Sequence, residues 1–112
     1  MGDDLKDIAQ HTISRSGLTT AELKDEVETL GPRWSIDGPD LKLVLQGPMA
    51  KAGKVAAYAG ELADELDHHP SIAIEYQRFE LKIHTHDKNA ITVLDLVYAA
   101  RLEQWLRSGG WD

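Results

Sequence analysis

Two runs with a period of two residues constrain this chain more than any other feature. In LKLVLQ (41–46), Leu41, Leu43 and Leu45 alternate with Lys42, Val44 and Gln46. In FELKIHTH (79–86), Phe79, Leu81, Ile83 and Thr85 share one side, and Glu80, Lys82, His84 and His86 share the other. Successive side chains of a strand point to opposite faces, so each run reads as a strand with one apolar face. Each has a partner close by. RWSID (33–37) stands before the first run across Gly38-Pro39-Asp40, and SIAIEY (71–76) stands before the second across Gln77-Arg78. Short links of this composition predict two hairpins.

The segments around the hairpins read as helices. Thr19 is an N-cap with Glu22 as its capping-box partner, Leu23, Val27 and Leu30 keep helical spacing, and Gly31-Pro32 stops the run. PMAKAGKVAAYAGELADEL (48–66) is the longest helical signal, with Pro48 suited to its first turn. Its predicted buried face is Met49, Ala52, Ala56, Ala59, Ala63 and Leu66, and its alanines allow a close approach to a sheet or another helix. The last helix starts with Thr92 as cap and Asp95 three residues on. Leu94, Val97, Tyr98, Leu102, Trp105 and Leu106 form its apolar stripe, and Gly109-Gly110 ends it. Residues 1–17 read as a lead-in. The fold class is therefore α+β, in the order α-β-β-α-β-β-α, with a four-stranded antiparallel sheet and helices packed on one face. A single domain spanning residues 1–112 is expected, since no linker or low-complexity segment divides the chain.

Composition narrows the function. A formal net charge of −7 argues against nucleic acid as the main ligand, because phosphate binding needs clustered Lys and Arg. No GxGxxG or GxxxxGK[ST] cradle for nucleotide phosphates is present. No apolar run approaches 18 residues, so no membrane helix is expected. The start, MGDDLKDIAQ, lacks the apolar stretch of a signal peptide. The chain contains no cysteine, which excludes disulfides and Cys-ligated metals and fits a cytoplasmic location.

Four of the five histidines fall between Glu65 and Asp87: His68, His69, His84 and His86. The residues alone leave three readings. The first is surface decoration, which suits His84 best, on the solvent face of a strand. The second is a metal site, with His84 and His86 as an HxH pair about 7 Å apart along the strand and His68 or His69 completing it. Asp67 and Asp87 would then serve as ligands or outer acceptors. The third is proton transfer, for which imidazole is suited near neutral pH without a large perturbation. Ser71 stands close by, but adjacency in sequence does not make a Ser-His nucleophile. Pro70 disfavours the helical conformation at His69, so His68 and His69 need not point the same way.

The spacing of Asp64, His68-His69-Pro70, Tyr76, His86 and Asp95 resembles the signature of the pterin-4a-carbinolamine dehydratases, also called 4a-hydroxytetrahydrobiopterin dehydratases. ELDHHPSIAIEYQRFELKIHTHD resembles their paired-His and THE/THD blocks, and LTTAEL and Trp34-Ser35 fall in family order. The resemblance covers about residues 18 to 107. It implies an α+β fold and a hydro-lyase that removes water from 4a-hydroxytetrahydropterin to give quinonoid dihydropterin, recycling the cofactor of aromatic amino-acid hydroxylases. It implies no metal and no organic cofactor. The partners it implies are a pterin substrate and further copies of the chain, as a homodimer or a dimer of dimers.

Carried over by motif, His68 and His86 are the implied acid–base pair, and His69 binds and orients the pterin. Asp67, Thr85 and Asp87 hydrogen-bond the pterin or the histidines. His84 stands where the family often has Ser, so its backbone rather than its ring is implied in binding. Pro70 shapes the pocket and Tyr76 packs. Asp64 and Asp95 are structural, Asp64 at the end of a helix turn and Asp95 as partner of Thr92. Trp34 belongs to a core or an interface. The chain departs from the family at Ser71-Ile72-Ala73-Ile74, where many members carry aromatics. It departs again at Asn89-Ala90-Ile91-Thr92, where the family has GGLT, and at Arg33, where many members have Gly. These departures motivate an alternative, a catalytically weak member that acts as a protein-binding or dimerisation module. The intact set His68, His69 and His86 favours the enzyme.

Overall fold

The computed structural model describes residues 18–111, and the lead-in read at 1–17 lies outside the described residues. The elements are α1 (Thr20–Leu30), β1 (Trp34–Asp37), β2 (Asp40–Gln46), α2 (Met49–Leu66), β3 (Ser71–Glu75), β4 (Arg78–Ile83) and α3 (Val93–Ser108). Their order is the one expected from the sequence. All strand pairs are antiparallel, and the sheet runs β1-β2-β4-β3, with the two alternating strands side by side at its centre.

The alternation explains this arrangement. Leu41, Leu43 and Leu45 of β2 and Phe79, Leu81 and Ile83 of β4 are all buried on one side of the sheet. Leu43 pairs with Leu81 and Leu41 with Ile83, so a one-residue slip would turn both apolar rows to solvent. The Gly38-Pro39 turn between β1 and β2 needs a positive φ, +62° at Gly38, which glycine adopts without a Cβ clash. The helices cover the apolar side. The α1 cap is as predicted: Thr19 Oγ1 accepts from the Glu22 amide at 3.1 Å, and Glu22 accepts from the Thr19 amide at 2.9 Å.

Several local expectations are corrected. The buried face of α2 is Ala52, Val55, Ala59, Leu62 and Ala63, while Met49 is exposed. The face is rotated from the alanine row because Val55 and Leu62 remove more apolar surface from water. Helix α3 is buried on more than a stripe, since Leu94 through Ala100 are all buried and α3 lies against both α1 and α2. Trp105 instead sits at the edge of the core, stacked on Tyr58 at 4.7 Å and 4°. Tyr76, expected to pack, is 84% exposed at the β3–β4 turn, where the turn residues are Tyr76-Gln77 rather than Gln77-Arg78. Strand β4 stops at Ile83, so His84 and His86 lie just beyond it.

Arg33, unusual against the family pattern, has a defined partner. Its guanidinium grips the Glu103 carboxylate through two bonds, 2.9 and 3.0 Å. Trp34 Nε1 donates to the same carboxylate at 2.8 Å and Arg107 Nε at 2.7 Å. Arg33 also donates to the Trp111 carbonyl, and Arg107 to the Leu30 carbonyl. Burial alone would raise the Glu103 carboxyl, but the donors from Arg33, Trp34 and Arg107 together hold it below the ordinary range. A depressed carboxyl stabilises the fold above its unfolded pKa, and that stability is lost as pH falls through the folded value. Glu103→Gln therefore removes the one buried carboxylate that Arg33 and Arg107 share and weakens the hydrogen bonds both make to it, which should cost about 1–3 kcal/mol at neutral pH. In urea unfolding measured as a function of pH, the gap between the variant and the parent should narrow below about pH 4.

Candidate active site

The site begins at the end of α2. Asp67 caps that helix in the left-handed conformation, φ +50° and ψ +48°, and its amide donates to the Ala63 and Asp64 carbonyls. The His68 amide then donates back to Ala63 O at 3.0 Å. This reversal turns the next two side chains apart, as the sequence suggested, although the left-handed Asp67 contributes to it as well as Pro70. His68 enters the interior and is 4% exposed, while His69 stays outside.

Buried His68 meets a buried carboxylate. Asp95 Oδ1 accepts from His68 Nε2. Its other oxygen accepts from the Thr85 hydroxyl at 2.8 Å and from the Thr92 amide at 2.8 Å. The Thr85 and Thr92 hydroxyls are themselves 2.7 Å apart. Asp95 completes the predicted capping box at the start of α3 and also holds His68, which the sequence reading missed. Three segments distant in sequence thus share one carboxylate. Thr85 is fully buried in this network, so its hydroxyl faces Asp95 and Thr92 rather than solvent.

On the outside, a cleft of about 310 Å3 is lined by Asp40, His69, Pro70, Ser71, Lys82, His84 and His86. That volume is at the small end of small-molecule sites. It brings together three of the four clustered histidines. His69 Nε2 lies 3.1 Å from Asp64 Oδ1, and His84 Nδ1 lies 2.8 Å from Asp40 Oδ1. The His84 and His86 rings meet edge to face, with centroids 4.6 Å apart and planes at 67°. A carboxylate on one ring nitrogen fixes the tautomer and leaves the other nitrogen for a ligand. The Asp37 carboxylate, 3.1 Å from Lys82 Nζ, raises the Lys82 ammonium above its usual range by hydrogen bond and charge, so the cleft wall carries a permanent cation.

His86 is held by its backbone. It opens the turn at 86–89, where Thr85 N donates to Ala90 O at 2.9 Å, and Asn89, at φ +47°, donates to His86 O at 3.2 Å. Asp67 and Asp87 are exposed and flank the cleft in sequence without lining it. Asp40 and Lys82 line it although the sequence reading placed them in a turn and on a strand face and gave neither a role in the site. Asp40 was legible in principle: Leu41 pairs with Ile83, so in an antiparallel ladder the next residues outward are Asp40 and His84. Among the described residues no three His, Asp or Glu side chains gather in a way that could hold a metal ion.

A larger groove of about 570 Å3 lies between Pro32, Arg33, Val44, Leu45, Gln46, Glu103, Arg107 and Trp111. It holds no histidine, and both of its guanidiniums are hydrogen-bonded to the one carboxylate of Glu103. Size alone is a poor guide here, since only the smaller cleft gathers groups able to exchange protons near neutral pH.

The family profile described as pterin 4 alpha carbinolamine dehydratase matches residues 16–105. The chain belongs to the pterin-4-alpha-carbinolamine dehydratase family. A protein of Acidobacterium capsulatum, which carries that name provisionally, is 33% identical over 94 residues, covering 80% of this chain and 97% of the relative. Another of the same provisional name, from Streptomyces avermitilis, is 31% identical over 88 residues, covering 77% and 86%. Among solved structures, the transcriptional coactivator/pterin dehydratase of Brucella melitensis superposes with a TM-score of 0.72 at 27% identity, over 80% of this chain and 97% of that one. The family match ends at residue 105, before Arg107 and Trp111, so the latch that these two form with Arg33 and Leu30 lies partly beyond the shared core.

The two halves of the site should respond differently to mutation. Asp95→Ala removes the capping-box partner of Thr92 and leaves buried His68 Nε2 and the Thr92 amide without their acceptor, which should cost about 2–4 kcal/mol in urea unfolding. His86→Ala, at an exposed position, should change stability by less than about 0.5 kcal/mol.

Proposed function

We propose that the protein is a 4a-hydroxytetrahydropterin dehydratase, a hydro-lyase that forms quinonoid dihydropterin and water. Family membership supports the reaction class, and the gathering of His69 and His86 imidazoles in one cleft carries the mechanism. In this reading the pterin lies between them. One imidazolium protonates the 4a-hydroxyl as the C4a–O bond breaks and water leaves. A neutral imidazole takes the N5 proton, and the N5 electron pair forms the new double bond to C4a. Each step is general acid or base catalysis by an imidazole. The resemblance to the family implied His68 with His86 for these roles. Burial of His68 on Asp95 favours His69 as the cleft-facing partner of His86, with His68 holding the loop that presents His69. Lys82 adds a cation at the wall, suited to the carbonyl oxygen or ring nitrogens of a polar heterocycle.

The same proposal includes tetrahydropterin recycling, a cytoplasmic location, and self-association as a dimer or dimer of dimers. Strand β3 ends the sheet and is largely exposed, leaving a free edge that a second copy could pair with. A second reading, a protein-binding module, draws on the coactivator half of the Brucella relative's description. It does not need the three imidazoles together.

The deciding experiment follows dehydration of enzymatically generated 4a-hydroxytetrahydropterin by ultraviolet absorbance. The parent should accelerate it, and His86→Ala and His69→Ala should each lose about 10²–10⁴-fold in kcat with melting temperature kept. A folded parent that gives no acceleration would leave the binding module as the better reading.

A further inference from the structure

We propose that Asp40 and His84 form a positioning pair that orients the His86 ring. Its effect on turnover rests on the dehydratase reading, whereas the coupling itself does not. The family resemblance implied a role for the backbone of His84 and none for its ring. In the fold that ring is engaged on both sides. Its Nδ1 donates to Asp40 Oδ1 at 2.8 Å, and its ring meets that of His86 edge to face at 4.6 Å.

His86 needs such a support. Its backbone is fixed by the 86–89 turn, but its side chain is exposed, and the contact with His84 is the ring contact found for it among the described residues. An exposed imidazole with free χ angles samples several rotamers, and a reacting group displaced by about 1 Å can lose about 10²-fold in rate. His84 removes that freedom only if its own ring is held, and Asp40 does this. The sheet register puts Asp40 in place, since Leu41 opposite Ile83 sets Asp40 beside His84. The neighbouring lysines have other carboxylates as their nearest partners: Lys82, whose ammonium also feels the charge of Asp40, lies 3.1 Å from Asp37, and Lys42 bridges Asp37 and Glu80 at 3.7 and 3.9 Å. Asp40 and His84 are partly buried, 21% and 25% exposed, and both line the cleft beside His86, so the pair is placed to set the orientation of that ring.

The test separates coupling from catalysis. Imidazole 13C resonances of His86 are compared in the parent, Asp40→Ala and Asp40→Asn. Among the described residues no hydrogen bond or ion pair joins Asp40 to His86, so a simple surface pair predicts no reorientation of that ring. The proposal predicts that Asp40→Ala shifts or broadens the His86 signals. It also predicts that Asp40→Asn, whose amide oxygen still accepts from Nδ1, restores them in large part. In the dehydration assay, Asp40→Ala and His84→Ala should each lower kcat roughly 10-fold with KM within about two-fold. The double variant should be no worse than His84→Ala alone, as expected for groups acting in series. Unmoved His86 signals in a folded Asp40→Ala protein would overturn the proposal, and so would additive losses in the double variant. A parent without turnover would sink the dehydratase reading, and the resonance comparison would still decide the coupling.

Discussion

The site depends on one buried carboxylate. Asp95 is fully buried and accepts from three donors, His68 Nε2, the Thr85 hydroxyl and the Thr92 amide. Burying a carboxylate is costly unless every acceptor position is used, and an N-terminal helix position lowers that cost through the unpaired amides it offers. The network also ties down geometry. It joins the loop after α2, the segment after β4 and the start of α3, which the chain would otherwise connect only through long excursions. The spacing of His69 and His86 across the cleft follows from that junction, because each lies one residue from a member of the network. His69 follows His68, and His86 follows Thr85.

The far end of α3 repeats the device with a different aim. Glu103, also buried, gathers Arg33, Trp34 and Arg107 and so fixes the entry of β1 and the end of α3 to each other. Two carboxylates two turns apart on one helix therefore pin both ends of the sheet's covering layer. Asp95 works beside a group that can change its proton, and Glu103 works between cations that cannot. The first junction can carry chemistry and the second serves the frame, even though the larger groove opens beside the second.

Much of this frame was legible in the sequence. The period-two runs at 41–46 and 79–86, the Thr19/Glu22 cap and the Gly38-Pro39 turn are local signals, and local physics decides them. The misreadings share one cause, which is that periodicity describes one element and burial depends on its neighbours. Met49 fits the alanine row of α2 but lies in its first turn and is exposed, while Val55 and Leu62 are buried in the core. Helix α3 touches α1 and α2 at once, so Leu96, Ala99 and Ala100 are buried outside any single stripe. The partnership of Arg33 with Glu103 spans 70 residues, and that of Asp40 with His84 spans 44. Only the strand register could have revealed the latter.

The histidine cluster shows most clearly why neighbouring residues of one type need not share a role. His68 and His69 are adjacent, yet the left-handed turn at Asp67 sends one inward and leaves the other at the cleft. The inner ring is immobilised by a carboxylate that is itself saturated. The outer ring keeps solvent contact and only an exposed partner, Asp64. A ring of the first kind suits holding a loop in one conformation, because moving it would strand a buried acid. A ring of the second kind suits proton exchange, because both of its charge states can be solvated. The motif therefore reads as one element of structure joined to one of chemistry. A similar division recurs two residues apart on the other wall, where His84 is held by Asp40 and the exposed His86 meets the His84 ring edge to face.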